Sequence, residues 1–446
     1  MQRSALTSLA QWKNQKNHKP LIIEGARQVG KTWLMKEFGR IYYKQTIYLH
    51  FDNNPELKSV FESDYKIPRI IEAIEILFGK KIIAENTLII FDEIQECPKA
   101  LTALKYFNEE APQYDILAAG SLLGLIHHEG TGFPVGKVSF LKLYPLNFIE
   151  FSTALGKESL INLIYKQDFQ LIKTLKNEFE KLLKMYCYIG GMPEVVKNFV
   201  ENNDYKKVRD IQKSILKSYE NDFSKHIPAN TVEKIRMLWH SIPSQLAKEN
   251  KKFIYSAIKT GARAKEYEIA INWLKDAGLI YQVNRIKKPD LPLIAYQDLN
   301  AFKLFIHDVG LLSALTDLNV KTILQRTAIF EEFKGAITEQ YVLQQLVCSD
   351  SEFPICYWSN DSSRSEVDFV IQIAGLVIPL EVKADKNLKA KSINNFIKDY
   401  KSVKAVRTSL ADFKINENNL CDIPLYAIGN IEQILAEEVN QENNSQ

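Results

Sequence analysis

Gly25-Ala26-Arg27-Gln28-Val29-Gly30-Lys31-Thr32 is the stretch that most narrows what this chain can fold into. The spacing GxxxxGK[ST] works only between a strand and a helix, because the loop turns its backbone N–H groups toward phosphate oxygens at a helix N-terminus. Both neighbours are there: 21–24 is a short apolar strand, and 32–39 carries a helical pattern. Gly25 and Gly30 allow the unusual dihedrals and the close approach. In such a loop Lys31 reaches the β- and γ-phosphates of ATP, and Thr32 offers its hydroxyl to Mg²⁺.

A second signal lies downstream. Leu88-Ile89-Ile90-Phe91 is a continuous apolar run, as expected for a strand buried on both faces, and it ends in Asp92-Glu93. Asp92 is placed to hold the Mg²⁺ shell and Glu93 to polarise the attacking water. Further strands are expected at 46–51, 115–120 and 137–143, alternating with helices, so residues 1–150 predict a parallel α/β domain. Ser121, just after the 115–120 strand, stands where a polar sensor of the γ-phosphate belongs; the plainer reading is a loop serine.

The 57 basic and 54 acidic residues give a net charge of +3, a near-balance that neither argues for nucleic acid nor against it. The five cysteines form no CxxC pair, which leaves no zinc or redox motif. The first 19 residues lack the apolar core of a signal peptide, and no apolar run approaches the ~18 residues of a membrane span. A reducing cytoplasmic location is the expectation.

The motifs Gly25-Ala-Arg-Gln-Val-Gly-Lys-Thr, Phe91-Asp-Glu, Ala119-Gly-Ser-Leu-Leu-Gly, Phe133-Pro-Val-Gly-Lys, Leu143-Tyr-Pro-Leu, Gly190-Gly-Met-Pro-Glu, Phe302-Lys-Leu-Phe, Asp308-Val-Gly-Leu-Leu and Glu366-Val-Asp-Phe occur in that order. In this the chain resembles bacterial AAA-type ATPases fused to a C-terminal domain of unknown function, over nearly its whole length. The resemblance implies an ATPase with ATP and Mg²⁺ as cofactors. Many relatives carry Gly-Arg where this chain has Gly136-Lys137, and a lysine lacks the planar fork of a transition-state arginine.

The periodicity after residue 150 turns helical to 229, with a break at Gly190-Gly191-Met192-Pro193, and reads as a helical lid. Residues 230–320 show helices at 231–246, 254–259 and 265–277, followed by a hairpin, the layout of a winged helix. Lys248, Lys251, Lys252, Lys259, Arg263 and Lys265 surround its second and third helices, with Lys287 and Lys288 near the wing tip. Phosphate contacts on DNA and a merely solvated or packing surface are equally open readings of these residues. Residues 321–436 run helix, strand, strand, strand, helix, and 437–446 form a Glu/Asn/Gln-rich tail expected to be frayed.

In that C-terminal part, Glu339 sits on the apolar face of the 331–347 helix, beside Leu343 and Leu346. A carboxylate there is costly without a task or a partner. Asp368 lies on one strand and Glu381 and Lys383 on the next, joined by the turn Ala374-Gly375, so pairing brings Asp368 near Glu381. Together Glu339, Asp368, Glu381 and Lys383 resemble the PD-(D/E)XK nucleases, with Val367 where proline is usual. The resemblance implies a second divalent metal ion held by Asp368 and Glu381, with Lys383 neutralising charge at a scissile phosphate. A salt-bridged strand face is the alternative. The fold expected is therefore multidomain α/β: a P-loop NTPase sheet with flanking helices, a helical lid, a winged helix and a nuclease-like α/β domain. The function expected is ATP hydrolysis coupled to DNA or RNA binding or processing. The alternative is an ATP switch that binds a protein partner, or a DNA-binding regulator, with an inactive nuclease-like scaffold.

Overall fold

The computed structural model describes residues 1–120, 133–224, 229–248, 251–324, 331–349, 352–360, 365–384, 391–400, 404–416 and 419–436. The chain divides into two compact units, Met1–Pro145 with Asn272–Leu279, and Leu146–Ile271 with Ile280–Gln446.

The first unit is built on five strands: β1 (Leu21–Glu24), β2 (Gln45–His50), β3 (Thr87–Asp92), β4 (Asp115–Ala119) and β5 (Ser139–Lys142). Their order is β2-β3-β4-β1-β5, and every pairing is parallel. All five strands therefore end at one edge, and β4 separates β1 from β3. Strand β3 is buried along its whole length, which is why its sequence is apolar without alternation. Phe51, Phe61 and Phe91 meet edge to face with centroids 5.6 Å apart and form the middle of the core on one side of the sheet. The helix after the phosphate loop spans Lys31–Tyr42 and buries Leu34, Met35 and Phe38.

The second unit carries an eight-stranded mixed sheet in the order β12-β13-β11-β10-β9-β8-β6-β7. Its strands are β6 (Ile280–Ile286), β7 (Gln297–Ile306), β8 (Ile355–Ser359), β9 (Glu366–Ile373), β10 (Leu376–Val382), β11 (Ala405–Ser409), β12 (Lys414–Ile415) and β13 (Leu420–Pro424). The β9–β10 hairpin turns at Ala374 and Gly375, both at positive φ, as the sequence suggested. Two features were not foreseen. The β6–β7 hairpin, expected as a wing, is one edge of this sheet, because β6 pairs in parallel with β8. Strands β11 to β13 continue the sheet at the other end. Upstream of the hairpin, helices run over Ala229–Leu246 and Ala264–Asp276, and only the 3-10 turn Tyr255–Ala257 stands where a third helix was expected.

Two of the motifs in the helical part have a packing role. Asp308 is fully buried and caps the Val309–Leu315 helix through Leu311 N–H at 3.0 Å. Its other oxygen accepts from Gly191 N–H at 2.7 Å and from the Gln344 amide at 3.1 Å. A Cβ on Gly310 would lie 2.4 Å from the Ile189 carbonyl oxygen, and one on Gly191 would lie 2.0 Å from that of Leu146. Gly190-Gly191 and Asp308-Val309-Gly310 are thus two halves of one backbone contact. From the Glu331–Val347 helix, Gln340 both accepts from Ile306 N–H and donates to Ile306 C=O, which satisfies the end of β7.

Candidate nucleotide site and carboxylate–lysine cluster

The phosphate loop leaves β1 at Gly25, whose φ of 143° and distance to Leu143 permit no side chain: a Cβ would lie 2.2 Å from the Leu143 carbonyl oxygen. Gly30, at φ 96°, caps the Lys31–Tyr42 helix, and Gln28 also takes a positive φ of 68°. This path through Gly25, Ala26, Arg27, Gln28, Val29 and Gly30 turns the chain into the helix N-terminus. The Lys31 side chain is 8% exposed, and its ammonium donates to the Gly25 and Ala26 carbonyls, both at 2.8 Å. Burial drives its pKa down to about 8, against the pull of Glu93 and Asp92.

Strand β3 brings two carboxylates to the same edge. Thr32 Oγ1 donates to Asp92 Oδ2 at 2.7 Å, and the Tyr48 hydroxyl donates to the same oxygen at 2.7 Å. Asp92 Oδ1 accepts from Glu93 N–H at 3.1 Å. Glu93 sits at φ 51°, a left-handed conformation that costs a non-glycine residue about 1 kcal/mol or more. Gln95 Nε2 donates to Glu93 Oε2 at 2.5 Å and fixes the direction of that carboxylate. Gln95 is a positioning residue that the sequence reading missed; its only signal was a polar side chain two residues past an expected base. The residues fit Mg²⁺–ATP. Gly25 has no room for a side chain, the Lys31 ammonium is buried and hydrogen-bonded to carbonyls, and the Thr32 hydroxyl and Asp92 carboxylate are hard oxygen donors in contact. Ser121 lies outside the described residues, though β4, which precedes it, does run between β1 and β3. Lys137 forms an ion pair with Glu109 at 2.9 Å.

In the second unit the β9–β10 pairing aligns Phe369 with Leu380, which puts Asp368 and Glu381 side by side. Asp368 Oδ2 accepts from Val382 N–H at 2.7 Å. Glu339 comes from the helix that packs on β10 and is 5% exposed. The four expected residues are therefore brought together, but with company. Lys251 Nζ is hydrogen-bonded to Glu339 Oε1, and Lys383 Nζ to Glu381 Oε1. Lys303, from β7 and with no exposed surface, lies 2.5 Å from Glu366 and 3.8 Å from Glu339. Burial opposes the Lys303 ammonium, but Glu366, Glu339 and Asp368 outweigh it and hold its pKa above the lysine range. Burial likewise opposes the Glu339 carboxylate, and Lys251 and Lys303 outweigh it and keep its pKa low. Asp368 is pushed well up, first by burial and then by Glu339 and Glu381; burial also raises Glu381 against the pull of Lys383.

This arrangement does not fit a divalent ion at Asp368 and Glu381. One oxygen of Glu339 and one of Glu381 are already taken by lysines. Among the described residues no group of three or more His, Cys, Asp or Glu side chains is arranged to hold a metal. The expectation for Lys251 also changes: grouped in sequence with surface lysines, it points into the cluster. Lys303 was not foreseen at all. The partners are 88 residues apart for Lys251–Glu339 and 63 for Lys303–Glu366, and no local pattern announces such pairs.

Comparison with known families finds three matches along the chain. Residues 17–152 match the model of an AAA domain. This part of the chain is a P-loop AAA ATPase domain. Residues 180–322 match a domain of unknown function, DUF8612, and residues 334–426 match another, DUF4143. No curated protein matches. Solved structures similar to the chain include a Walker-type ATPase of Pyrococcus abyssi, at 14% identity over 71% of this chain and 95% of that one, TM-score 0.44. Orc1 of Aeropyrum pernix in complex with DNA is similar at 12% identity over 70% and 91%, TM-score 0.26. Cdc6p of Pyrobaculum aerophilum is similar at 10% over 72% and 94%, TM-score 0.25.

Outside the AAA domain, Lys259, Arg263 and Lys265 are exposed, as phosphate contacts require. Lys287 is exposed too, while Lys288 is paired with Asp290 at 2.7 Å. Arg209, on the Tyr205–Asp222 helix, is buried: it stacks on Tyr188 and donates to Ser313 Oγ and the Leu318 carbonyl. Among the described residues no helix is long and apolar enough to cross a membrane.

Proposed function

We propose that the chain is a Mg²⁺-dependent ATPase whose nucleotide cycle controls binding to DNA or RNA. The observation that carries the reading is the Thr32–Asp92 hydrogen bond at 2.7 Å, which joins the phosphate loop to β3 beside a buried lysine. In this reading the loop N–H groups and Lys31 bind and orient the triphosphate. Thr32 and Asp92 would hold Mg²⁺, which would supply positive charge to the triphosphate. Glu93, steered by Gln95, accepts a hydrogen bond from the attacking water and takes its proton. Ser121 keeps its role as a γ-phosphate sensor as a proposal. Residues 151–229 act as a helical lid, Lys259, Arg263 and Lys265 face phosphate from the segment that precedes the β6–β7 hairpin, and 321–436 act as a nuclease-like domain.

A second reading of the C-terminal domain is favoured by the lysines that cap Glu339 and Glu381. There the domain is an inactive nuclease-like scaffold, and the ATP cycle governs a protein partner. The deciding experiment is phosphate release from Mg²⁺–ATP, with and without DNA and RNA, in the parent and in Thr32→Ala. Turnover that needs Mg²⁺, is lost in the variant and changes with nucleic acid is the expected result. Turnover indifferent to nucleic acid moves the conclusion to the protein-partner reading. No turnover, or the same turnover in Thr32→Ala, removes the ATPase mechanism.

A further inference from the structure

We infer that the carboxylate cluster of β9, β10 and the Glu331–Val347 helix takes its counter-charge from Lys251 and Lys303 in place of a divalent metal ion, and that Lys251 is the group that keeps such an ion out. Four carboxylates meet here, Glu339, Glu366, Asp368 and Glu381, and three ammonium groups lie among them, Lys251, Lys303 and Lys383. The three ammonium groups offset most of the charge that the four carboxylates can carry. A divalent ion adds two charges beside three ammonium groups that have no lone pair to give it.

The donor atoms a metal would want are nevertheless present. Glu339 Oε2 and Glu381 Oε2 are both buried without a hydrogen-bond partner. What stands in the way differs in mobility between the two lysines. Lys303 is wholly enclosed between Glu366, Glu339 and the ring of Tyr357, 4.8 Å from its ammonium. Lys251 keeps 13% of its side chain exposed and reaches Glu339 through a single ion pair. Withdrawing Lys251 would free Glu339 Oε1 next to an oxygen that has no hydrogen bond and only the Lys303 ammonium 3.8 Å away, and would leave an excess of negative charge. The class of ligand for this site is thus a primary ammonium first, and a hard divalent cation only after that ammonium has left.

The test is a Mn²⁺ titration, without nucleotide, of the full chain followed by calorimetry and by the electron spin resonance of bound Mn²⁺. The forms compared are the parent, Lys251→Met, Glu381→Gln and Lys251→Met with Glu381→Gln. The parent and Glu381→Gln are expected to give the same isotherm. Lys251→Met is expected to gain one ion bound about tenfold or more tighter, and the double variant to lose it. A parent that binds one Mn²⁺ lost in Glu381→Gln overturns the inference, and so does a folded Lys251→Met that binds no tighter than the parent. If Lys251→Met does not fold, the parent and Glu381→Gln pair decides: identical isotherms uphold the lysine counter-charge, and an ion lost in Glu381→Gln overturns it. Sensitivity to Glu381 keeps this result separate from any metal at Thr32 and Asp92.

Discussion

Lys31 and Lys303 are both buried lysines, and they have opposite electrostatic fates. Lys31 rests on two neutral carbonyls, with the nearest carboxylates acting only at a distance, and burial wins: its pKa falls to about 8. Lys303 is ringed by carboxylates, and the carboxylates win. The difference teaches how to read a buried cation. One whose charge is unspent is held at a cost that only an arriving anion offsets, which marks a binding site. One whose charge is spent belongs to the framework, however closely its neighbours resemble a catalytic motif.

The comparison can be broken at either end. The largest effect is expected at the unspent cation. Lys31→Ala should reduce ATP turnover by on the order of a thousandfold, read as steady-state phosphate release, because the charge proposed to meet the γ-phosphate is gone. Turnover within a few-fold of the parent would mean that Lys31 is a framework lysine too. Glu93→Gln should slow turnover by about a hundredfold or more while nucleotide affinity, followed with a fluorescent ATP analogue, stays near that of the parent. Joint loss of binding and turnover would place Glu93 in holding nucleotide instead.

At the spent cation the effect should fall on stability. Lys303→Met leaves Glu366 and Glu339 facing each other in the interior and should cost about 3–5 kcal/mol in urea unfolding, with part recovered by adding Glu366→Gln. A loss below about 1 kcal/mol would show that the carboxylates do not depend on it. Lys31→Met should do the reverse and stabilise the protein without nucleotide. A fall from the ordinary 10.5 to about 8 amounts to about 3 kcal/mol at ~1.4 kcal/mol per unit. The sign follows from linkage: the folded state disfavours the charged amine, so the penalty is complete below about pH 8 and disappears as pH rises toward 10.5. The gain of Lys31→Met in thermal midpoint should therefore shrink over that range; a gain that grows with pH contradicts it. The smallest effect is expected at exposed charge. Replacing Lys259, Arg263 and Lys265 by alanine should lower the salt slope of DNA binding by about one for each phosphate that is no longer neutralised, with little change in stability. An unchanged slope makes them plain surface.

The nucleotide site was legible because its parts are local. A loop motif between strand and helix, and an apolar strand ending in Asp92-Glu93, fix both backbone path and register within a few residues. The β9–β10 hairpin was legible for the same reason, since alternation and the Ala374-Gly375 turn set which residues face each other. Lys303 and Lys251 were not, because their partners come from a strand and a helix far along the chain. The sequence does state the problem, a carboxylate at the core-facing Glu339, but not which of many lysines solves it. The β6–β8 pairing was hidden likewise: β6 buries only Ile280, Val283 and Ile286, and nothing within it names a third strand.

That pairing bears on how the chain is made. β6 ends at Ile286 and its partner β8 begins at Ile355, so during synthesis the hairpin leaves the ribosome several seconds before its neighbour, at roughly 5–20 residues per second. Until then β6 has an open row of N–H and C=O groups, and a fragment that stops short of β8 would keep that edge bare for good. Such a piece, cut out as an independent DNA-binding module, should be prone to pair with copies of itself.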